Sequence, residues 1–357
     1  MSAFGQRASG VAAAAARPLL AVAISLAVVA GLLALLGFAP GPALAALARG
    51  ALGSPAALTA TALKATPLLL TGLAVAVCFR CGVWNIGAEG QLLAGALCAT
   101  AVATRLLPDA PAALLLPAVV CAGALGGALI GGLAGALRAG RGVSEVISTI
   151  MLNFVAIQLV ALAVHGPLQE IAGAYPKSDA FPAAAMLPAV GRLHLGIAIA
   201  LALAVAMQAL LFRSAVGFRM RAVGLSARAS RFAGISPERY ALLTMTLAGG
   251  LAGLAGTFEV AGVTGRLYEG ISPGHGYTAI AVALVARLNP LAVIPSALFF
   301  GGIEAGAGAM QREAAVPSVV TQIVQGTAIL LSAAFAFAAS RRSKGSSADA
   351  SAEVEGA

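Results

Sequence analysis

Apolar stretches recur along the chain, separated by short clusters of Gly, Pro, Arg, Asn and Ser, and the longest of them carry no acidic or basic residue. Their limits predict membrane spans near residues 18–38, 65–79, 86–104, 112–137, 145–165, 193–212, 241–263, 277–288, 290–309 and 318–339. A spanning helix needs about 20 mostly apolar residues. The runs at 65–79 and 277–288 fall short of that and read as tilted, broken or re-entrant. The first run, PLLAVAISLAVVAGLLALLGF at 18–38, is longer than the apolar region of a cleavable leader and no small-residue cleavage site follows, so it reads as a span. The expected fold is an all-α polytopic membrane protein of about ten transmembrane helices, eight if the short runs fail.

Polar positions between the spans set the orientation. Placing both termini in the cytoplasm leaves Arg49, Lys64, Arg105, Lys177, Arg192, Arg266 and Arg312 outside and the other fifteen of the 22 basic residues inside. The formal charge of +9 therefore reads as topology, and no nucleic-acid partner is expected. Residues 1–17 form a cytoplasmic segment, 18–340 the transmembrane domain, and 341–357 a polar tail expected to be disordered. Outside, 41–64 is too broken for a span and is expected at the interface. Residues 166–192, with Pro167, Pro176, Pro182 and Pro188, read as an irregular loop. Glycines four apart, at Gly123, Gly127, Gly131 and Gly135, at Gly249 and Gly253, and at Gly302 and Gly306, predict closely packed helices.

Two stretches break this pattern. GVWNIGAEGQ, residues 82–91, places Asn85, Glu89 and Gln91 among glycines at the entrance to the third span. A carboxylate at a span centre costs about 2.5–3.5 kcal/mol, nearly cancelling the roughly 0.3–0.6 kcal/mol returned by each of Ile86, Leu92, Leu93, Leu97 and Val102. Glu89 therefore belongs against protein, a watery cavity or the membrane edge. Either this face borders a translocation path or Glu89 ties helices together. GRLYEGISPGHGY, at 265–277, enters from the opposite side before the eighth span, and paired interruptions of opposite topology point to inverted repeats around a transport site. Asn153 and Glu304 are the other polar groups deep in spans, open to the same two readings.

Hydrophobic residues make up 60% of the chain and charged residues 10%, which excludes a soluble globular domain. Cys78, Cys81, Cys98 and Cys121 sit in or beside apolar runs and read as small buried hydrophobes. The three lysines, Lys64, Lys177 and Lys344, fit no phosphate-binding loop, and His165, His194 and His275 fit no zinc-protease motif. Ser272 and His275 lie close together without a third partner. No catalytic site or cofactor is expected on this chain. The inner segment 213–240 carries Arg213, Arg219, Arg221, Arg228, Arg231 and Arg239 against Glu238 alone, and reads as a docking surface or as a loop resting on anionic lipid.

Taken together, GVWNIGAEGQLLAGAL (82–97), SEVISTIMLNFVA (144–156), GFRMRAVGLSARASRFAGIS (217–236) and SPGHGYTAIAVALVARLNP (272–290) resemble the permease subunits of bacterial ABC importers, in the simple-sugar and nucleoside branch. The likeness covers about residues 65–335, and the N-I-G-A-E-G-Q form looks most like permeases paired with nucleoside-binding lipoproteins. It implies a multi-pass protein of the bacterial inner membrane that forms the path for a nucleoside or simple sugar, with Asn85, Glu89, Gln91, Asn153 and Glu304 as candidate path residues. It also implies a coupling region, 213–240, in which Gly217, Arg221, Ala222, Gly224, Gly234 and Ile235 meet a separate ATP-binding cassette subunit that holds ATP and Mg. A second, paralogous permease and an external substrate-binding protein complete the implied set. Leu225-Ser226-Ala227-Arg228 departs from the motif's usual Asn and acidic residues. An ion-coupled secondary transporter, using Glu89 or Glu304, is the competing reading.

Overall fold

The computed structural model describes residues 24, 27–173, 175–317, 319–323, 326–327 and 330–331. The expected cytoplasmic segment 1–17 and the tail 341–357 lie outside them, as do parts of the first and last expected spans. The described helices are α1 (Pro40–Leu52), α2 (Pro55–Arg80), α3 (Ala88–Ala101), α4 (Ala112–Arg141), α5 (Glu145–Val164), α6 (Gly196–Arg213), α7 (Ala215–Leu225), α8 (Ala227–Phe232), α9 (Pro237–Glu259), α10 (His275–Val285) and α11 (Pro290–Glu313). Single π-helical turns, Val102–Leu106 and Val260–Thr264, extend α3 and α9. The all-α polytopic reading holds: α2, α4, α5, α6, α9 and α11 are long and apolar enough to cross a membrane, with α10 a shorter apolar helix.

The chain divides into two compact units. One runs to Leu58 and resumes at Gly302; the other is Thr59–Gly301. In the first, Val29 and Leu33 of a helical stretch at 27–35 bury against Ala43 and Ala46 of α1 and against Met310 and Val316. Small residues on α1 allow that approach, and a Cβ on Gly306 would strike the Leu47 carbonyl. Arg49 pairs with Glu313 at 3.0 Å on the exposed rim.

In the second unit, α3, α4 and α9 press backbone on backbone. A Cβ on Gly127 would fall on the Gly249 carbonyl oxygen, one on Gly253 on the Gly123 oxygen, and one on Gly95 on the Gly253 oxygen. Small residues four apart thus form one interface rather than separate features. The lipid-length helices around this core keep open faces, with Leu125, Leu129, Ile147, Phe154 and Leu162 exposed.

Two expectations need correction. Residues 41–64 are largely helical rather than broken: 40–52 form α1, too short to span, and 55–64 belong to α2, which starts at Pro55 instead of near 65. Thr59, Thr61 and Lys64 made the stretch look polar. Yet hydroxyls fit inside helices by bonding back to the preceding turn, as Thr66 Oγ1 does to the Ala62 carbonyl at 2.9 Å. Second, 166–192 is more than an irregular loop. It holds a 3₁₀ turn at Ala183–Ala185 and one strand, β1 (Ala189–Val190), of the hairpin that β2 (Leu193–His194) completes, while Lys177 bridges to Tyr268. Glu170 takes Arg266 at 3.0 Å and Lys177 at 3.4 Å, and Asp179 takes Arg105 at 2.6 Å.

Gly127→Leu is expected to drive α4 from α9 and cost at least about 1–3 kcal/mol, read as a lowered unfolding temperature in detergent. Gly140→Ala, with open space around it, is the control that should change little. The hydrogen bond from Arg105 is the main reason the Asp179 carboxyl lies below its usual range, partly opposed by burial. Its stabilisation is present above the unfolded value of about 4 and is lost as pH falls through the folded value. Unfolding temperature should therefore drop more steeply in acid for the wild type than for Asp179→Asn.

Candidate functional site

The helix α2 ends at Arg80, and Gly82, at φ +72°, turns the chain so that the Val83 N–H reaches back to the Cys78 carbonyl at 3.0 Å. From there to Gly87 the backbone is neither helix nor strand, and α3 begins only at Ala88. Non-helical backbone at membrane depth persists only where protein or a water-filled cavity surrounds it. Asn85, fully buried, supplies that surrounding. Its Oδ1 accepts from the Gly87 N–H at 2.9 Å and from Gln91 Nε2 at 3.0 Å, while its Nδ2 donates to Gln91 Oε1 at 3.0 Å.

Asn153, on α5 and equally buried, does the same from the other side. Its Oδ1 accepts from the Gly90 N–H at 2.8 Å, and its Nδ2 donates to the Ile86 carbonyl at 2.9 Å and toward the Tyr277 hydroxyl at 3.4 Å. Gly90 has no room for a side chain: a Cβ would lie 2.8 Å from Asn153 Cα.

Glu89 completes the arrangement by joining α3 to α10. Its Oε2 accepts from the Gly276 N–H at 2.7 Å, and a Cβ on Gly276 would fall on the Glu89 backbone. Two helix N-termini therefore meet, each a partial positive charge, with one carboxylate between them. Ser272 Oγ accepts from the Gly274 and His275 N–H groups at 3.3 and 3.2 Å and caps the second of them. The two Gly-interrupted stretches singled out in the sequence are thus in contact. Asn85, Glu89, Gln91 and Asn153 come together in one knot; Glu304 is a half-buried residue of the other unit. Sequence reasoning missed Gly276, Ser272 and Tyr277, for which the only signal was the S-P-G-H-G spacing of small residues before an apolar run.

Residues 213–240 are built as a platform. Ser214, Ser226 and Ser236 cap α7, α8 and α9 through the N–H groups of Gly217, Ala229 and Arg239 at 3.0, 3.2 and 3.3 Å. Gly217 lies on the Leu210 carbonyl and Gly224 on the Arg80 carbonyl. The guanidinium groups of Arg221 and Arg80 stand 5.0 and 5.5 Å from the Phe212 ring, and Arg80 Nε donates to the Leu288 carbonyl at 3.0 Å. So Gly217 is buried and Arg221 half-buried, and Gly224, itself exposed, seats α7 against the end of α2. Ala222 is half-buried, Gly234 turns the chain at φ +76°, and Ile235 closes that turn on the Ser230 carbonyl at 2.9 Å. The open surface belongs instead to Phe218, Leu225 and Phe232, at 61, 89 and 84% exposure, with Arg228 beside them. Arg231, also exposed, pairs closely with Glu238.

Asn153→Leu should leave buried groups at Gly90 and Ile86 unpaired, at about 1–3 kcal/mol each. Glu89→Gln keeps an acceptor for Gly276 and should be milder than Glu89→Leu. Thermal unfolding of the three variants in detergent checks that order.

The sequence matches, over residues 57–333, the family described as branched-chain amino acid transport system, permease component. A glucose ABC transporter permease of Haloferax volcanii is 34% identical over 326 residues, 88% of this chain and 85% of that relative. A guanosine ABC transporter permease of Bacillus subtilis is 37% identical over 324 residues, 88% and 91% of the two chains. A nucleoside ABC transporter permease of Lactococcus lactis is 33% identical over 282 residues, 76% and 77%. With most of its spans, its knot and its platform inside the matched region, the chain belongs to this family of multi-pass ABC transporter permeases.

Proposed function

We propose that this chain is the permease subunit of an ATP-driven importer, in the bacterial inner membrane with both termini cytoplasmic, and carries a nucleoside or simple sugar delivered by an external binding protein. The platform is the observation that carries the reading. Phe218, Leu225 and Phe232 are large, exposed and clustered on two short capped helices among arginines, beyond the end of a membrane helix. Arginines beside exposed Phe and Leu also suit an anionic headgroup layer; what favours a protein partner is that contacts at Gly217 and Gly224 hold α7 as a fixed surface on the ends of α6 and α2. Apolar anchors ringed by charge suit a protein partner. The partner that fits is an ATP-binding cassette subunit, on which ATP and Mg would reside.

The solute class rests on the relatives, two of which are named for nucleosides or guanosine and one for glucose. Bacillus subtilis has a second related guanosine permease, which favours a paralogous partner over a second copy of this chain. Arg221, Gly217 and Gly224 act here as anchors of the platform, with Ala222, Gly234 and Ile235 shaping its turns. Of the two residues the ion-coupled alternative would use, Glu89 is buried and accepts the Gly276 N–H, which favours a structural role for it, and Glu304 lies in the other unit.

The test is uptake of radiolabelled guanosine and glucose into proteoliposomes holding this chain with the subunits encoded beside it. Uptake should require internal ATP and the binding protein. Phe218→Ser combined with Phe232→Ser should cut it at least about tenfold while insertion persists, as expected for loss of buried anchors worth about 2 kcal/mol or more. Uptake that ignores ATP and collapses with an ion gradient would sink the importer reading.

A further inference from the structure

The polar residues that look most like a solute site are not available to a solute. Asn85, Glu89, Gln91 and Asn153 are between 0 and 4% exposed, and each is engaged by an amide or a backbone N–H inside the knot. The knot nonetheless reaches an open surface through one side chain. Tyr277, in the first turn of α10, is 45% exposed, and its hydroxyl receives Asn153 Nδ2 at 3.4 Å.

Its depth can be read from two helices. Asn153 stands about 12 Å along α5 from Glu145, and Tyr277 about 12 Å along α10 from Val285, at roughly 1.5 Å per residue. Both lengths place the phenol near the middle of a hydrocarbon layer about 30 Å thick. Tyrosine facing lipid belongs at the headgroup level, where its hydroxyl is hydrated. A half-open phenol at mid-depth, beside two interrupted helices, belongs on a surface that meets something polar.

We propose that Tyr277 is the side chain of this permease that touches the transported solute, stacking its ring on a flat face and donating its hydroxyl proton to the solute's edge. The chemistry required is a polar molecule with one flat, weakly polar face, supplied by a nucleobase or by the C–H face of a sugar. Asn153 is then a positioning residue: one amide fixes the start of α3 and the phenol oxygen together, so the ring is held by the same bonds that hold the helix start. The inference rests on the permease reading and assigns within it the residue that contacts cargo.

Two measurements on the complete transporter test it. In proteoliposomes, Tyr277→Ala should raise the KM for uptake at least about tenfold, Tyr277→Phe only about threefold, and the order in which unlabelled guanosine, uridine and glucose compete should change in Tyr277→Ala. Equal KM values and an unchanged order of competition would overturn the proposal. Independently of turnover, Tyr277→Cys should take up a water-soluble maleimide beyond the wild-type level and be protected by a competing solute. A cysteine that stays unlabelled, as one facing lipid would, overturns it, and so does one labelled equally with every solute present. Absence of ATP-driven uptake in the wild type would count against the importer reading, while the labelling result would still decide Tyr277.

Discussion

A helix that begins inside hydrocarbon leaves its first backbone N–H groups without partners, each at a cost of several kcal/mol, because no water is present to take them. Here two helices begin that way, and the second unit is organised around answering them. Asn153 takes the Gly90 N–H, Asn85 takes that of Gly87, Glu89 takes that of Gly276, and Ser272 takes those of Gly274 and His275. The carboxylate is the central member, because it faces two partial positive charges and reaches directly from α3 to the first turn of α10, which Asn153 also links from α5. An amide in its place would keep the hydrogen bond and lose the charge, so bonding and electrostatics can be separated at this position.

Such a knot needs close backbones, which explains why glycine is spread so widely. Gly90 and Gly276 are required at the contact itself, where a methyl group would meet backbone. Away from it, Gly95, Gly123, Gly127, Gly249 and Gly253 draw α3, α4 and α9 together tightly enough that α3 cannot drift from the residues that cap it. Packing of this kind replaces the hydrophobic drive that lipid removes, since apolar side chains gain nothing by leaving one oily environment for another. On the outer faces of α4 and α5, large apolar residues such as Leu125, Leu129 and Phe154 are left exposed, while others such as Leu70, Leu73 and Phe258 fill the interior.

How much of this could be read from the chain follows from the kind of signal each part carries. Spans of lipid length were legible from hydropathy, because every residue contributes to the same sum. The short helix α10 was legible as an exception for the same reason. The start of α2 was not, because Thr59, Thr61 and Lys64 look like a break and only the fold reveals that the helix runs through them. Asn85, Glu89, Gln91 and Asn153 could be found, as polar groups where apolar ones are expected, but their direction could not. Whether Glu89 borders a path or ties helices depends on Gly276, 187 positions away. On the platform, the resemblance singled out Gly217, Arg221 and Gly224, while the open surface is made by Phe218, Leu225 and Phe232, which a hydropathy reading takes for buried residues.

The platform and the knot are joined by contacts that leave little slack. Gly224 of α7 rests on the Arg80 carbonyl, and the Arg80 guanidinium holds the Leu288 and Arg287 carbonyls at 3.0 and 3.1 Å, just past the C-terminus of α10. Arg287 and Leu288 adopt positive φ angles of 52° and 57°, a conformation that surrounding contacts must maintain. The other end of α10 is the helix start held by Glu89. A single helix of 11 residues therefore runs from the platform's anchor to the carboxylate that fixes α3. Helices resist bending over so short a length, and at the N-terminal end the close contact of Gly276 with the Glu89 backbone leaves no room for side chains to take up a shift by changing rotamer. Displacing α7 against Arg80 must then either break the Arg80 bonds or move α10 as a rigid piece against Glu89. The choice between those outcomes is set by bonds at opposite ends of the same helix, which is why the chemistry of Arg80 matters as much to the knot as that of Glu89.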